Sequence, residues 1–200
     1  MSQEIEIEVK NLITTTEFNR IVTALQLKSS DFKQQINHYF DTADFSLKRH
    51  QAALRIREKH GQAILTLKQP HSVGLLETHQ QLEHSEAIHA IETGQLPDGE
   101  VVKQINDSFP INLNDLSCLG TLTTDRAELP YADGLLVIDK STYLCITDYE
   151  IEYEGKDEQV AKQTFSTFLS EQQIPLRKTD NKIARFFKEK KNQEKDANIE

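Results

Sequence analysis

Hydrophobic and polar residues alternate without exception near the start of the chain. Residues 4–10 read Glu-Ile-Glu-Ile-Glu-Val-Lys. In a β-strand, successive side chains point to opposite faces, so the three acids share one face with Lys10 and the aliphatic residues share the other. The pattern predicts a strand with one apolar face and one charged face. Three aligned carboxylates repel one another, so the charged face needs either bulk water or a bound cation.

Charged strand faces recur along the chain. Similar runs occupy residues 54–59, 63–68, 135–140 and 148–154. Arg55 and Arg57 share one face of the first run, Lys68 lies on the polar face of the second, and the last run carries only acids on its polar face. A solvent face would more often mix signs within each strand, because opposite charges across a ladder stabilise a sheet and like charges destabilise it. Strands of one sign predict an enclosed site, where carboxylates hold a divalent metal and Arg or Lys side chains hold an anion with several phosphates.

The rest of the pattern predicts an α+β fold. Further strands are expected near residues 34–42, 51–59, 62–69, 75–83, 117–128, 134–142 and 146–154. Helices are expected near residues 15–27, 86–93, 98–106, 157–172 and from about residue 180 onward. Thr14 and Glu17 have capping-box spacing, and Ser85 is the expected cap of the second helix. Roughly eight strands with charged faces on one side suit an eight-stranded antiparallel closed β-barrel with a polar lumen, whose apolar outer face is covered by flanking helices.

Length and composition narrow the class of protein. The 200 residues suffice for one domain with a substantial core, expected at 1–188 and followed by a charged flexible tail at 189–200. The net charge of −9, from 23 basic and 32 acidic residues, argues against general nucleic-acid binding. No apolar run is long enough to cross a membrane, no signal peptide is evident, and two cysteines are too few for a disulfide framework. We therefore expect a cytoplasmic protein, either a monomer or a homodimer.

Several short motifs follow one another in a fixed order. They are Glu6-x-Glu8-x-Lys10, Tyr39-Phe40-Asp41, Leu54-Arg55-Ile56-Arg57, Leu65-Thr66-Leu67-Lys68, Arg126, Ile138-Asp139-Lys140, Glu150-x-Glu152 and Asn181-Lys182-Ile183-Ala184-Arg185. This ordered set resembles the signature of the CYTH superfamily, the triphosphate tunnel metalloenzymes, over residues 4–188. Within the superfamily it is most similar to the bacterial YjbK-type triphosphatases. Any one motif is weak, whereas the ordered set is specific.

The resemblance implies an eight-stranded tunnel that binds a small-molecule triphosphate together with Mg²⁺ or Mn²⁺. The implied metal ligands are Glu6, Glu8, Glu77, Glu150 and Glu152. The implied phosphate ligands are Lys10, Arg55, Arg57, Lys68, Arg126, Lys140, Lys182 and Arg185, and either Lys182 or Arg185 closes one mouth of the tunnel. Glu8, Lys10, Arg57 and Glu152 are expected to be catalytic.

The chain departs from the family pattern at two positions. The strand after Lys68 usually brings two acids at alternate positions, but here Glu77 is followed by His79. A basic residue often lies two positions before Arg126, where this chain has Thr124. The seven histidines lack ligand spacing and are interpreted as surface or core residues. Asp41 has two interpretations, a strand-end residue or a group that orients a base, and Asp139 is interpreted as a structural partner of Lys140.

Three functions are compatible with these residues. The first is metal-dependent hydrolysis of inorganic tripolyphosphate, or of an organic triphosphate such as thiamine triphosphate, with water attacking the terminal phosphorus. The second is a class IV-type adenylyl cyclase that makes cyclic AMP from ATP, although no adenine-binding motif is evident. The third belongs to a different class, a non-catalytic module that binds polyphosphate or nucleotides.

Overall fold

Residues 3–197 are described by a computed structural model, and they form a closed antiparallel β-barrel of eight strands with six helices. The strands are β1 (Gln3–Ile13), β2 (Lys33–Thr42), β3 (Ala53–Lys59), β4 (Gln62–Pro70), β5 (Leu75–Leu82), β6 (Leu116–Tyr131), β7 (Gly134–Tyr143) and β8 (Ile146–Gly155). The helices are α1 (Thr15–Ala24), α2 (Ser46–Arg49), α3 (His84–Thr93), α4 (Glu100–Ser108), α5 (Glu158–Glu171) and α6 (Lys182–Ala197). The strand order is β1-β5-β4-β3-β2-β6-β7-β8. The predicted fold class is confirmed. Within residues 3–197, no helix is both long and apolar enough to cross a membrane.

Among the described residues, three hairpins are closed by two-residue turns. Ala132-Asp133 joins β6 to β7, and the other two turns have positive φ angles at both residues. His60-Gly61 joins β3 to β4, and Leu144-Cys145 joins β7 to β8. All four residues of these two turns have positive φ angles, 53° and 74° in the first turn and 45° and 67° in the second. Such turns match the right-handed twist of the strands, and glycine adopts a positive φ without steric cost. The first turn contains Gly61, whereas the second turn contains no glycine.

The chain divides into two compact units. The first contains the segment up to Glu8 together with Gln34–Thr121, and the second contains Val9–Lys33 and the segment from Leu122 onward. In the first unit, helices α3 and α4 pack on the sheet formed by β4 and β5. The buried apolar cluster includes Leu54 and Ile56 of β3 and Leu65 and Leu67 of β4. Because side chains alternate along a strand, the basic residues of β3 and β4 lie on the opposite face.

The second unit repeats this arrangement with other helices. Helices α1 and α5 pack on β8, where Ile151 and Tyr153 are buried. Tyr131 of β6 lies edge-on to Phe168 of α5, with ring centroids 5.3 Å apart. Since Ile151 and Tyr153 lie toward the helices, the acids between them project from the other face of β8.

A set of hydrogen bonds within the second unit, which we call the Arg177 clasp, fixes the segment before α6 to the end of β1. The buried Asn11 side chain accepts a 2.6 Å hydrogen bond from the backbone N–H of Arg177 and donates a 3.2 Å bond to the carbonyl of Pro175. The Arg177 guanidinium forms two hydrogen bonds of 2.8 and 2.9 Å with the Glu17 carboxylate. Glu17 also completes the predicted capping box of α1 with Thr14. The Arg177 bonds lower the pKa of Glu17 to about 2, against the opposing effect of burial.

Two local predictions differ from the structure. Helix α3 begins at His84 with Glu83 as its cap, because the Glu83 N–H donates a 2.9 Å bond to the Glu86 carboxylate; Ser85 therefore lies inside the helix and is not the predicted cap. Helix α6 continues to Ala197 and so includes most of the segment predicted to be a flexible tail. Lys, Glu and Gln dominate that segment and are good helix formers. Residues 198–200 of the predicted tail lie outside the described residues.

Candidate active site

Three buried carboxylates lie together in the second unit, and we call them the acidic triad: Asp139 of β7 and Glu150 and Glu152 of β8. Asp139 is the direct ladder partner of Glu150, and Glu152 lies two residues further along β8 on the same face. None of the three is more than 3% exposed. Oxygen atoms from all three lie within 4.8 Å of one another, which is close enough to hold one metal ion.

The ammonium of Lys182, the first residue of α6, contacts every member of the acidic triad. Its Nζ lies 2.8 Å from Asp139, 2.6 Å from Glu150 and 2.5 Å from Glu152. The helix thus delivers a cation to the centre of the carboxylates. A divalent ion coordinated by the same oxygens would have to displace this ammonium.

Two arginines surround the acidic triad. Arg126 donates from Nε and one terminal nitrogen to Asp139, at 2.8 and 2.7 Å, and from that same terminal nitrogen to Glu152 at 2.7 Å. Arg185, one turn after Lys182 on α6, donates to Asp148 at 2.8 Å and to Glu150 at 2.5 Å. The predicted phosphate ligands Arg126, Lys182 and Arg185 are therefore paired with acids in this structure.

The pKa values of the three carboxyl groups of the acidic triad shift in different directions. Burial raises the pKa of Glu150 to about 7, and the neighbouring Glu152 adds to that rise while Lys182 opposes it. Burial also disfavours ionised Glu152 and Asp139, but the charges of Lys182 and Arg126 outweigh it and hold the pKa of both carboxyls below the ordinary value. Lys10 of β1 contributes to the lowered pKa of Glu152. One carboxyl of the triad can therefore carry a proton near neutral pH while the other two stay ionised.

The ladder register separates Lys140 from the acidic triad. Its direct neighbours are Asp125 on β6 and Tyr149 on β8, and Tyr149 stacks on Phe18 of α1 with ring centroids 4.5 Å apart. Lys140 thus lies on the helix-covered face, and we leave it out of the proposed site. The interpretation of Asp139 as a partner of Lys140 was wrong, because adjacent strand residues point to opposite faces.

In the first unit, Lys68 of β4 is held between two predicted metal ligands. Its Nζ lies 2.5 Å from Glu6 of β1 and also contacts Glu77, its direct ladder partner on β5. Burial raises the pKa of Glu77, but the charges of Lys68 and Arg55 outweigh it and lower the pKa below its ordinary value. The structure therefore brings Glu6, Lys68 and Glu77 into one ion-pair group.

The two arginines of β3 differ in their partners. Arg57 donates from Nε to the buried side-chain oxygen of Asn37, its ladder neighbour on β2, at 3.0 Å. The Nε atom of Arg55 is buried, and no acceptor among the described residues lies within hydrogen-bonding distance of it. An unsatisfied buried N–H costs free energy, so an anion bound at Arg55 would recover a hydrogen bond that the protein itself does not make.

The remaining predicted residues have clear positions. Glu8 and Lys10 continue the face of β1 that carries Glu6. Asp41 accepts hydrogen bonds from the N–H groups of Leu47 and Lys48, at 2.8 and 3.0 Å, and so holds the short helix α2 in place. Its role is structural.

Sequence reasoning missed some partners of the predicted residues. His79 contacts Glu4, Glu77 and Thr66, although the histidines were interpreted as having no ligand spacing. The signal was present in the i, i+2 spacing of Glu77 and His79, which places both on one strand face. Thr124, which replaces an expected basic residue, is fully buried and shares a 3.0 Å hydrogen bond with Ser141. A neutral, hydrogen-bonded pair of hydroxyl groups therefore lies where the family pattern has a basic residue.

Comparison with known proteins agrees with this geometry. The family model described as "CYTH domain" matches residues 4–187. This chain therefore belongs to the CYTH domain family, which confirms the resemblance drawn from its motifs. A Bacillus subtilis protein named "Putative triphosphatase YjbK" is 48% identical to this chain over 191 residues, which cover 96% of this chain and 98% of that protein.

Two solved structures share the fold. A Bacillus halodurans protein, described as a "putative adenylate cyclase", is 48% identical with a TM-score of 0.91, and the match covers 94% of this chain and all of that one. A Hippeastrum protein described as the "putative adenylyl cyclase HpAC1", reported to reveal a dominant triphosphatase activity, is 25% identical with a TM-score of 0.76. That match covers 92% of this chain and 96% of the other.

Proposed function

We propose that this protein hydrolyses a triphosphate-containing small molecule, either inorganic tripolyphosphate or an organic triphosphate such as thiamine triphosphate, and releases inorganic phosphate. The observation that carries the proposal is the acidic triad, in which three buried carboxylates converge on a single cation position. Membership of the CYTH family and the name of the Bacillus subtilis relative support a triphosphate as the substrate class.

The donor set of the acidic triad fits a hard divalent cation. Carboxylate oxygens are the ligands that Mg²⁺ and Mn²⁺ prefer, and Asp139, Glu150 and Glu152 offer only such atoms. We assign them as metal ligands in the second unit, and Glu6 and Glu8 of β1 are the proposed metal ligands in the first unit. A bound Mg²⁺ or Mn²⁺ would neutralise charge that develops on the phosphate oxygens.

Phosphate binding is assigned to basic side chains. Arg55, Arg57 and Lys68 are the proposed ligands in the first unit, and Lys10, Arg126, Lys182 and Arg185 are the proposed ligands in the second. Guanidinium groups match two phosphate oxygens at once, whereas lysine acts as a point charge. They would hold the terminal phosphoryl group and stabilise the charge on its equatorial oxygens while water replaces the leaving phosphate oxygen.

The attacking water must lose a proton, and a carboxylate of the site is the proposed acceptor of that proton.

A second candidate function is an adenylyl cyclase. The descriptions of the Bacillus halodurans and Hippeastrum proteins favour keeping it. A cyclase would use the same phosphate ligands, but the 3′-hydroxyl of ATP would attack the α-phosphorus and diphosphate would leave. The product therefore separates the two functions.

The test is phosphate release from the purified full-length chain. Tripolyphosphate, thiamine triphosphate and ATP are each supplied with Mg²⁺ or Mn²⁺, with EDTA as the control, and the ATP reactions are also assayed for cyclic AMP. Metal-dependent phosphate release confirms a triphosphatase and identifies its substrate class. Cyclic AMP would replace the proposal by the cyclase, and binding without turnover would replace it by a non-catalytic module.

Glu152→Gln is expected to lower the turnover number by about a hundredfold or more, because it removes a charge that both the metal and Lys182 need. Glu8→Gln is expected to do the same, because it removes the charge of a second proposed metal ligand. Glu158→Gln is the control, since Glu158 lies on α5 in an exposed pair with Lys162. Full activity of both Glu152→Gln and Glu8→Gln, with metal present, would contradict the proposed site.

A further inference from the structure

Glu4 of β1 and Glu77 and His79 of β5 form a second group of potential metal ligands, which lies entirely within the first unit. The Nε2 atom of His79 lies 3.1 Å from a Glu4 oxygen and 3.3 Å from the Oε2 atom of Glu77. Lys68 contacts the other oxygen of Glu77, Oε1, so the two carboxylate oxygens serve different neighbours. This group is distinct from the acidic triad and contains an imidazole.

The two carboxylates of this group repel each other. Glu4 is the direct ladder partner of Glu77, and two carboxylates directly opposite each other destabilise an antiparallel pair. Burial of Glu77, whose side chain is only 5% exposed, strengthens that repulsion. Lys68 is shared between Glu77 and Glu6, and Arg55 is the second cation whose charge acts on Glu77.

The imidazole of His79 is oriented for ligation. Its Nδ1 atom lies 3.0 Å from the Thr66 hydroxyl, directly across the ladder on β4. When Nδ1 donates its hydrogen to that hydroxyl, Nε2 carries a lone pair, and this lone pair faces two carboxylate oxygens. Three electron-rich atoms in contact require a cation between them or a proton on Nε2. A hydrogen bond that fixes the other ring nitrogen is the usual support of a metal-binding histidine.

The spacing of the ligand atoms suits a tetrahedral ion. Two ligands at zinc–nitrogen or zinc–oxygen bond lengths in a tetrahedral site lie about 3.3 Å apart. The observed separations of 3.1 and 3.3 Å agree with this value. The Glu4 side chain is 68% exposed, which gives an ion access from solvent and leaves room for a water ligand.

The geometry points to a site for a borderline transition-metal ion such as Zn²⁺, with Glu4, Glu77 and His79 as its protein ligands. A mixed nitrogen and oxygen donor set favours Zn²⁺ over Mg²⁺, which prefers oxygen alone. The inference goes beyond the proposed function, because Zn²⁺ binding at this site can be measured without a triphosphate. Failure of either proposal leaves the other untouched.

The experiment measures Zn²⁺ binding to the full-length chain without substrate. The protein is stripped with EDTA, desalted and titrated with Zn²⁺ by calorimetry, and metal content is measured after dialysis. Zn²⁺ titration of protein labelled with ¹⁵N-histidine identifies the imidazole that binds. We expect the wild-type chain to bind one Zn²⁺ that His79→Gln does not retain on dialysis, and the Zn²⁺ affinity of His79→Gln to be at least about tenfold weaker. In the wild-type chain, the nitrogen signal of His79 is expected to shift when Zn²⁺ is added.

His38 supplies a matched control. It lies on β2 with Nε2 2.8 Å from Glu58 and Nδ1 3.0 Å from Thr121, so its surroundings copy those of His79 but include only one carboxylate. His38→Gln is expected to leave Zn²⁺ affinity unchanged. His79→Glu makes the donor set all oxygen and is expected to shift the ratio of Zn²⁺ to Mn²⁺ affinity toward Mn²⁺ by about tenfold or more.

Three results would overturn the inference. They are no stoichiometric Zn²⁺ binding by the wild-type chain, equal affinity in wild type and His79→Gln, and a shift of the His38 signal in place of that of His79. His79 would then be an imidazolium that bridges two carboxylates. The wild-type titration is decisive even if a variant fails to fold.

Discussion

Arg55 and Arg57 lie two residues apart on one strand face, yet their surroundings differ. Arg57 is oriented by the buried Asn37, while the Nε atom of Arg55 has no acceptor among residues 3–197. A fixed guanidinium loses little entropy when it binds phosphate, and an unsatisfied one gains a hydrogen bond. At the scale of single residues, this pair is the part of the protein best prepared for an anion.

Arg57→Lys tests whether this orientation matters. Lysine keeps the positive charge but cannot donate from Nε to Asn37 or present two parallel N–H groups. We expect KM for the triphosphate to rise about tenfold and kcat to fall, because a charge-assisted hydrogen bond of about 1.4 kcal/mol or more is lost. Steady-state kinetics with Arg49→Lys as control checks this, since Arg49 pairs with the exposed Asp44. Unchanged KM and kcat in Arg57→Lys would show that Arg57 contributes only its positive charge and that its orientation by Asn37 does not matter.

At the scale of the elements, the β7–β8 turn is formed by two residues that are unfavourable in its left-handed backbone conformation. Leu144 and Cys145 both adopt the left-handed conformation, which costs a side chain with a Cβ atom about 1–2 kcal/mol per residue. The equivalent turn between β3 and β4 reduces that cost with Gly61. The β7–β8 hairpin is therefore held by its ladder and its packing more than by its turn.

The double variant Leu144→Asn/Cys145→Gly is expected to raise the free energy of unfolding by about 1–2 kcal/mol, because Asn-Gly is the preferred pair in this turn type. Urea denaturation measures the change. His60→Asn in the β3–β4 turn is the comparison, and its smaller expected gain reflects the glycine already present there. A loss of stability in the double variant would show that the Leu144 or Cys145 side chain makes a contact worth more than the strain.

The Arg177 clasp makes stability depend on acid pH. The pKa of Glu17 is about 2 in the folded protein, below its ordinary value of 4.5. The clasp therefore contributes fully above about pH 4.5, and its contribution is lost as the pH falls from about 4.5 through about 2.

Glu17→Gln is expected to lower the free energy of unfolding at pH 7 by about 1.5–3 kcal/mol, the range for hydrogen bonds to charged groups. The difference from wild type should shrink below pH 4.5 and vanish near pH 2. Urea denaturation at a series of pH values measures that difference. Glu158→Gln, which removes an exposed pair, should cost less than about 1 kcal/mol. A difference between Glu17→Gln and wild type that does not change with pH would contradict the ion-pair explanation.

At the scale of the whole molecule, the barrel was largely predictable because period-two alternation is strong in most strands. The alternation over residues 4–10 predicts β1, and the His60-Gly61 pair between two strand-like runs indicates the hairpin between β3 and β4. Leu135 to Ile138 is continuously apolar, so this run of β7 carries no alternation to show which face is buried. Lys140 was assigned to the site from the family resemblance, and the pattern of this run gave no means of correcting that assignment.

Contacts between distant strands were beyond sequence reasoning. His79 has a simple spacing to Glu77, but its partners Glu4 and Thr66 come from β1 and β4, and only the ladder register brings them together. The motif around Lys182 predicted that this residue binds phosphate. Its neighbours along the chain do not indicate its three carboxylate partners. A strand pattern specifies faces, whereas register specifies neighbours.

The Arg177 clasp also has a consequence for synthesis of the chain. Glu17 and Arg177 are separated by 160 positions, and β1 is adjacent in the barrel to β8, the last strand to be made. At a ribosomal rate of roughly 5–20 residues per second, the N-terminal strand waits about 8–30 seconds for these partners. One edge of β1 stays unpaired during that time, and its alternating glutamates make it a poor template for pairing with another chain. We therefore expect the acids of residues 4–8 to reduce aggregation of the nascent chain before the barrel closes.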